Sequence, residues 1–326
     1  MSKEWLQQEI IRLKQERQAV VLAHYYQIPE IQEVADMTGD SLEMARYAAR
    51  IQNAQVIVVC GVRFMAETAK ILNPLRKVLI PEPEAGCSLA DSITPEQLRN
   101  FICQHPGVPV ISYINCSAEI KAMSDAVCTS SNAVQVVKAV AGNGPAIFVP
   151  DINLGKYVQQ QTGCELILWN GACIVHENFS MDKILHLHKE HPHAKFIAHP
   201  ESQPHILRIA SYIGSTKGMI DFITRDDAKA YIVATEAGIL HQMRLQAPHK
   251  TLIPAPAYED NACACSECPY MKMNTLEKLH RSLNEEVYEI NLPHEVIHKA
   301  ALALNRMLNL TDQPSASQFV IKKPAT

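Results

Sequence analysis

The chain has 326 residues, enough for about two or three domains of ordinary size. It is 47% hydrophobic and 20% charged with a net charge of -4, which leaves no basic footprint for nucleic acid. The start, "MSKEWLQQEIIRLKQERQ", is too polar for a signal peptide, and the longest apolar runs, such as "VIVVC" and "AIFVP", are too short to span a bilayer.

The first element is a helix in "SKEWLQQEIIRLKQERQ", with Leu6, Ile10 and Leu13 as its apolar stripe. A short apolar strand follows and ends in a polar ring, His24. Then come a short helical stretch, a turn carrying Ser41, a strand in "QVIVVCG", another helix, and a strand in "KVLIPEPEAGC" that runs to Cys87. The same order recurs twice. "TPEQLRNFICQHPG" leads to a strand ending at Tyr113, a turn with Ser130, the strands in "PAIFVPD" and "ELILWNGAC", and Cys173. "SMDKILHLHKEHPH" leads to a strand ending at His199, a turn with Thr216, the strand in "AYIVATE", and "KTLIPAPAYEDNACACSEC" with Cys263, Cys265 and Cys268. Each hydroxyl lies 17 residues after its ring: Ser41 after His24, Ser130 after Tyr113, Thr216 after His199. One such spacing means little; three in one pattern mark an internal repeat.

The strands are continuous apolar runs separated by helices, the signature of parallel sheets covered on both faces. The expected fold is α/β: three α/β/α domains related by a pseudo-threefold axis. They occupy residues 1–87, 88–173 and 174–268, with a helical C-terminal tail over 269–326 packed outside.

Ligands of open parallel sheets sit beyond the carboxyl ends of the strands. Three such ends facing one centre would bring His24, Tyr113 and His199 together with three helix N-termini carrying Ser41, Ser130 and Thr216. Helix N-termini suit carboxylates or phosphate. The plain alternative for these hydroxyls is N-capping. "YIN" adds Ile114 and Asn115 beside Tyr113, and "AHPES" adds Pro200 and Glu201 beside His199.

The chain has ten cysteines and no export signal, so a reducing, cytoplasmic setting is expected, where thiols are buried, metal-bound or redox-active. One cysteine from each unit, converging on the axis, would bind a soft metal and leave one metal position open. The alternative is a zinc or redox sensor built on the C-terminal trio alone. Its nearest histidines, His249 and His280, are at no usual spacing. Cys265 and Cys268 are at redox-pair spacing, and a disulfide there would remove a ligand.

The stretches "AHYYQ", "GDSLEMAR", "AGCSLAD", "SYINCSAEIKAMSDAVCTSSNA", "WNGACIVHE", "AHPES", "GSTKGM", "ATEAGILHQM" and "CPYMKMN" together resemble the quinolinate synthase family, from about residue 20 to 275. The resemblance implies condensation of iminoaspartate (iminosuccinate) with dihydroxyacetone phosphate to quinolinate, phosphate and water. It implies one [4Fe–4S] cluster per chain on three ligands, Cys87, Cys173 and Cys268. It further implies Glu201 as general base and Tyr26, Tyr113 and His199 as acid–base partners. Substrate would be held by His24, Ser41, Tyr113, Ile114, Asn115, Ser130, His199, Pro200, Glu201 and Thr216. A transient contact with the aspartate-oxidising or dehydrogenating enzyme that supplies iminoaspartate is also implied, as are no nucleic-acid and no membrane partner. Some family members are expected to carry C-x-x-C-x-x-C where this chain has C-x-C-x-x-C. A [4Fe–4S] dehydratase acting on another hydroxy acid is the competing enzyme class.

Overall fold

The computed structural model describes residues 2–258 and 266–311. The first unit runs α1 (Lys3–Glu16), β1 (Ala19–His24), α2 (Pro29–Val34), β2 (Met37–Gly39), α3 (Ser41–Arg50), β3 (Val56–Cys60), α4 (Arg63–Leu72), β4 (Lys77–Leu79). The second repeats it: α5 (Pro95–Gln104), β5 (Val110–Tyr113), α6 (Ala118–Ala122), β6 (Ala126–Cys128), α7 (Ala133–Ala141), β7 (Ala146–Val149), α8 (Ile152–Thr162), β8 (Leu166–Leu168). After α9 (Ile174–Glu177) comes the third: α10 (Met181–Glu190), β9 (Lys195–Ala198), α11 (Pro204–Arg208), β10 (Tyr212–Ile213), α12 (Thr216–Arg225), β11 (Ala230–Ala234), α13 (Ile239–Gln246), β12 (Thr251–Pro254).

Each unit forms a four-stranded sheet with the same order, β2-β1-β3-β4, β6-β5-β7-β8 and β10-β9-β11-β12. All pairings are parallel. The continuous apolar strands explain this. Every residue of β3, β5 and β7 is buried, so both sheet faces need helical cover. The sequence pattern missed one strand per unit: β2, β6 and β10 lie in the expected turns. They are edge strands of two or three residues, too short to show a period. The same turn closes each: the backbone N–H groups of Asp36, Asp125 and Ser211 donate to the carbonyls of Val21, Val110 and Phe196, at 2.9, 2.8 and 2.8 Å.

The C-terminal segment adds α14 (Leu276–Glu285) and α15 (His294–Thr311). As expected, it is helical and packs on the units, and it buries an apolar face there. Leu276, Leu279 and Leu283 share one cluster with Leu6, Ile10 and Leu13 of α1, under the first sheet. In α15, Ala303, Leu304 and Met307 are buried, and the helix packs on α6, β6 and α4. Full burial of one such leucine contributes about 1.5–3 kcal/mol. Leu304→Ala is accordingly expected to cost about 2–5 kcal/mol, read as a lower denaturant midpoint. Among the described residues no helix is long and apolar enough to cross a membrane.

Candidate active site

One cavity, with about 690 Å³ between atoms, lies where the three units meet. His24 and Tyr113, the last residues of β1 and β5, line it, as does His199, the first residue after β9. The two histidines are set by one local device. His24 Nδ1 accepts from the Tyr26 N–H at 3.2 Å, and His199 Nδ1 accepts from the Glu201 N–H at 3.4 Å. Burial pushes both imidazoles down to about 3. A neutral ring that accepts at Nδ1 carries its proton on Nε2. Both side chains are therefore Nε2–H donors; that of His199 meets Ser130 Oγ at 3.1 Å.

Ser41, Ser130 and Thr216 all line the cavity. None of them is an N-cap. Asp40 caps α3, accepting from the Leu42 and Glu43 N–H groups, and Ser215 caps α12, accepting from Gly218 N–H. Ser41 and Thr216 sit one residue further on, at the first helical position. Ser130 lies two residues before Asn132, the N-cap position of α7. The expectation of three open helix N-termini needs correction at α3, because the Asp40 carboxylate already occupies that end. What Ser41 offers is its hydroxyl. Asn115 also lines the cavity, and its buried Oδ1 has no hydrogen-bond partner among the described residues.

Glu201 is the centre of a proton network. It is 3% exposed, and Tyr113 OH donates to its Oε1. His176 Nδ1 lies 3.1 Å from Oε2, at ion-pair range though off hydrogen-bond alignment. Burial pushes the carboxyl up, but the facing His176 imidazole and the Tyr113 hydrogen bond pull it down and hold Glu201 ionised, below the usual carboxylate range. Burial and the Glu201 charge push the Tyr113 phenol well up, so it stays protonated. On its other side His176 Nε2 meets Thr235 Oγ1 at 3.0 Å, and Thr235 Oγ1 meets Tyr26 OH at 2.6 Å. The order tyrosine, hydroxyl, imidazole, carboxylate is that of an acid–base relay.

The same cavity is lined by Cys87, Cys173 and Cys268, each half-buried and free of disulfides. Each precedes a single helical turn: the 3₁₀ turn Ala90–Ser92, α9, and the 3₁₀ turn Met271–Met273. Burial raises all three thiols, Cys87 to about 12. In every case the backbone N–H groups two and three residues on oppose it: Leu89 and Ala90, Val175 and His176, Tyr270 and Met271. Such turns favour sulfur in its anionic, metal-binding form. Cys87 is close enough to Cys268, and Cys173 to Cys87, for their charges to act on one another. One ligand atom each from Cys173, His176 and Glu201 also falls within 4.8 Å of the other two, so this part of the cavity fits a metal cofactor.

The family model of the quinolinate synthetase A protein (NadA) matches residues 8–309. The chain belongs to that family. A quinolinate synthase of Microcystis aeruginosa is 55% identical over 302 residues, 93% of this chain and 94% of the relative. Those of Gloeothece citriformis and Trichodesmium erythraeum are 54% and 53% identical, each over 93% of this chain and 93% of the relative. As a member of the quinolinate synthetase A family, the chain is an enzyme, and its thiols fit a metal cofactor.

Within this family member, most residues singled out from the sequence meet in the one cavity. Two do not line it. The Ile114 side chain is buried in the core, lining a small space with Leu22 and Ala45, and its N–H donates to the Cys128 carbonyl. Pro200 is buried between two cavity residues, in the turn closed by the Ser202 N–H on the His199 carbonyl. Cys263 and Cys265, and with them the expected redox pair, lie outside the described residues. Sequence reasoning missed His176, Thr235, Glu236 and Asp40. For His176 a signal existed: it stands three residues after Cys173, one turn further on.

Gly171 explains the "NGAC" spelling. A Cβ there would stand 2.6 Å from the Pro150 carbonyl oxygen and 2.2 Å from Ser92 Oγ. Backbone cannot yield as a flexible side chain can. Gly171→Ala is expected to cost about 1–3 kcal/mol and to lower the melting temperature. It should also loosen Cys173, two residues on, which metal content after purification would report.

Proposed function

We propose that the chain condenses iminoaspartate with dihydroxyacetone phosphate, releasing quinolinate, phosphate and water. A [4Fe–4S] cluster would be held by Cys87, Cys173 and Cys268. The observation that carries this reading is the shared cavity: one thiol from beyond the last strand of each unit lines it together with three polar rings from at or just past the first strands. A sensor using only the C-terminal trio would not need Cys87 and Cys173 there.

When bound, such a cluster supplies an open iron, a Lewis acid that polarises a substrate oxygen or nitrogen. The chain's own residues do the rest. Among the described residues no lysine or arginine lines the cavity. Anionic groups are therefore held by neutral donors: the Nε2–H groups of His24 and His199, and the hydroxyls of Ser41, Ser130 and Thr216. Such donors bind carboxylate or phosphate without locking it in place. Glu201, ionised, takes protons from carbon or from a hydroxyl through Tyr113. Tyr26 returns them, recharged through Thr235 and His176. The buried walls exclude bulk water from these transfers.

Thr235→Val keeps the shape but leaves the buried His176 Nε2 without its partner. Unchanged metal content with turnover lowered about 10²-fold is expected. Wild-type kcat in that variant would remove Thr235 from the relay. The whole reading is tested by anaerobic iron and sulfide analysis, together with phosphate release from the two substrates. An iron-free, zinc-loaded protein from anaerobic preparation overturns it. Iron and sulfide without phosphate release point instead to a dehydratase acting on another hydroxy acid. A cytoplasmic enzyme taking unstable iminoaspartate from the enzyme that makes it is the setting this chemistry asks for.

A further inference from the structure

We infer that the buried Glu236 and the partly exposed Lys272 form an ion pair that positions the Cys268 loop and sets the charge felt by the metal centre, an inference that rests on the cluster proposed above. Glu236 is fully buried. Its Oε1 accepts from the Cys268 backbone N–H at 3.2 Å and lies 2.8 Å from Lys272 Nζ. Its Oε2 accepts from the Gly238 N–H at 2.7 Å. Lys272 Nζ also donates to the Tyr26 carbonyl at 2.8 Å. One carboxylate thus ties the end of β11 and the start of α13 to a cysteine, and the lysine carries that tie to the first unit.

The backbone two residues before each cysteine is held alike: the Arg63, Ile152 and Ala237 N–H groups donate to the Ala85, Gly171 and Ser266 carbonyls at 2.8, 2.8 and 3.0 Å. Cys268 lies 14 residues beyond the end of β12, and there the Glu236 carboxylate also takes the cysteine's own N–H. Two further side chains fasten the segment after it to the first unit. Gln27 Nε2 donates to the Met271 carbonyl at 3.0 Å, and Asn274 Nδ2 donates to the Gly61 carbonyl at 2.8 Å.

The charge balance gives the pair its second role. Three thiolates and the Glu201 carboxylate would make the site negative, and among the described residues no lysine or arginine lines it. Lys272 is the cation whose charge reaches both Cys268 and His24. Removing Lys272 leaves a buried carboxylate, and removing Glu236 leaves a partly exposed ammonium, each without its counter-charge beside a cysteine ligand and of opposite electrostatic sign.

The test uses anaerobically prepared holoenzyme, reading iron loss to a chelator and the midpoint potential of the cluster. Lys272→Gln leaves Glu236 uncompensated, so the potential should fall. Glu236→Gln leaves Lys272 uncompensated, so it should rise. Both should lose iron about tenfold or more faster than wild type. Lys272→Arg should restore both readings. Shifts of the same sign in the two variants, or none, overturn the charge role, because a merely structural defect has no reason to reverse sign. Unchanged iron retention overturns the positioning role. Where a glutamine variant fails to fold, Lys272→Arg decides: a potential different from wild type overturns the inference. Absence of iron and sulfide from the wild-type protein instead defeats the cluster reading beneath it.

Discussion

Cys173→Ala is expected to give a folded, colourless protein without condensing activity, its iron falling from about four per chain to near zero. A small buried cysteine with a packing role alone would tolerate alanine at little cost. Cys173 is placed differently: it is half-buried on the cavity wall, at the head of α9, with the N–H groups of Val175 and His176 turned toward its sulfur. Its charge also acts on Cys87 and Glu201. Two remaining thiols cannot hold a cluster that three hold with one iron open. Cys87→Ala and Cys268→Ala are expected to behave alike, since each sulfur occupies the matching place in its unit. Iron, sulfide and the visible spectrum check this, with circular dichroism to show that the fold persists. Retained iron and activity in Cys87→Ala and Cys173→Ala would move the metal to the C-terminal trio.

Glu201→Gln is expected to keep iron and fold but to lower kcat about 10²–10⁴-fold, the range that general acid–base catalysis contributes. Glutamine preserves the shape, yet cannot be the ionised acceptor that His176 and Tyr113 face. Tyr113→Phe removes the donor on Oε1 and should also slow turnover. Because the two side chains act as one unit, the double variant should be scarcely slower than Glu201→Gln alone. Full additivity would assign them separate steps, and normal turnover in Glu201→Gln would remove it from the base role. Iron content measured on the same samples separates this loss from that of Cys173→Ala.

The repeat was legible because it is written in residue types with strong local meaning. "VLAH", "VISY" and "FIAH" are apolar runs that only a doubly covered sheet can absorb, and the spacing of 17 survives in all three copies. The edge strands β2, β6 and β10 were not legible. Two or three residues define no period, and parallel pairing to a neighbour creates them. Ser41, Ser130 and Thr216 were found for a reason that the structure refines: Asp40 and Ser215 do the capping, and the Ser41 and Thr216 hydroxyls stand at the cavity, that of Thr216 beside Tyr26 OH at 3.3 Å.

By itself, the sequence determined three α/β units, their parallel strands, the polar ring at or just past each first strand and the cysteine beyond each last one. These follow from hydrophobic period, turn chemistry and internal repetition, all short-range properties of the chain. Only the tertiary structure decided which side chains meet. His176, Thr235 and Tyr26 stand in one relay although 59 residues separate the first two and 209 the last two. Glu236 reaches Cys268 across 32 residues, and Lys272 reaches Tyr26 across 246. Such contacts carry no local signature, because the backbone between them is satisfied within its own sheets and helices. They arise only when three sheets turn their strand ends toward one cavity.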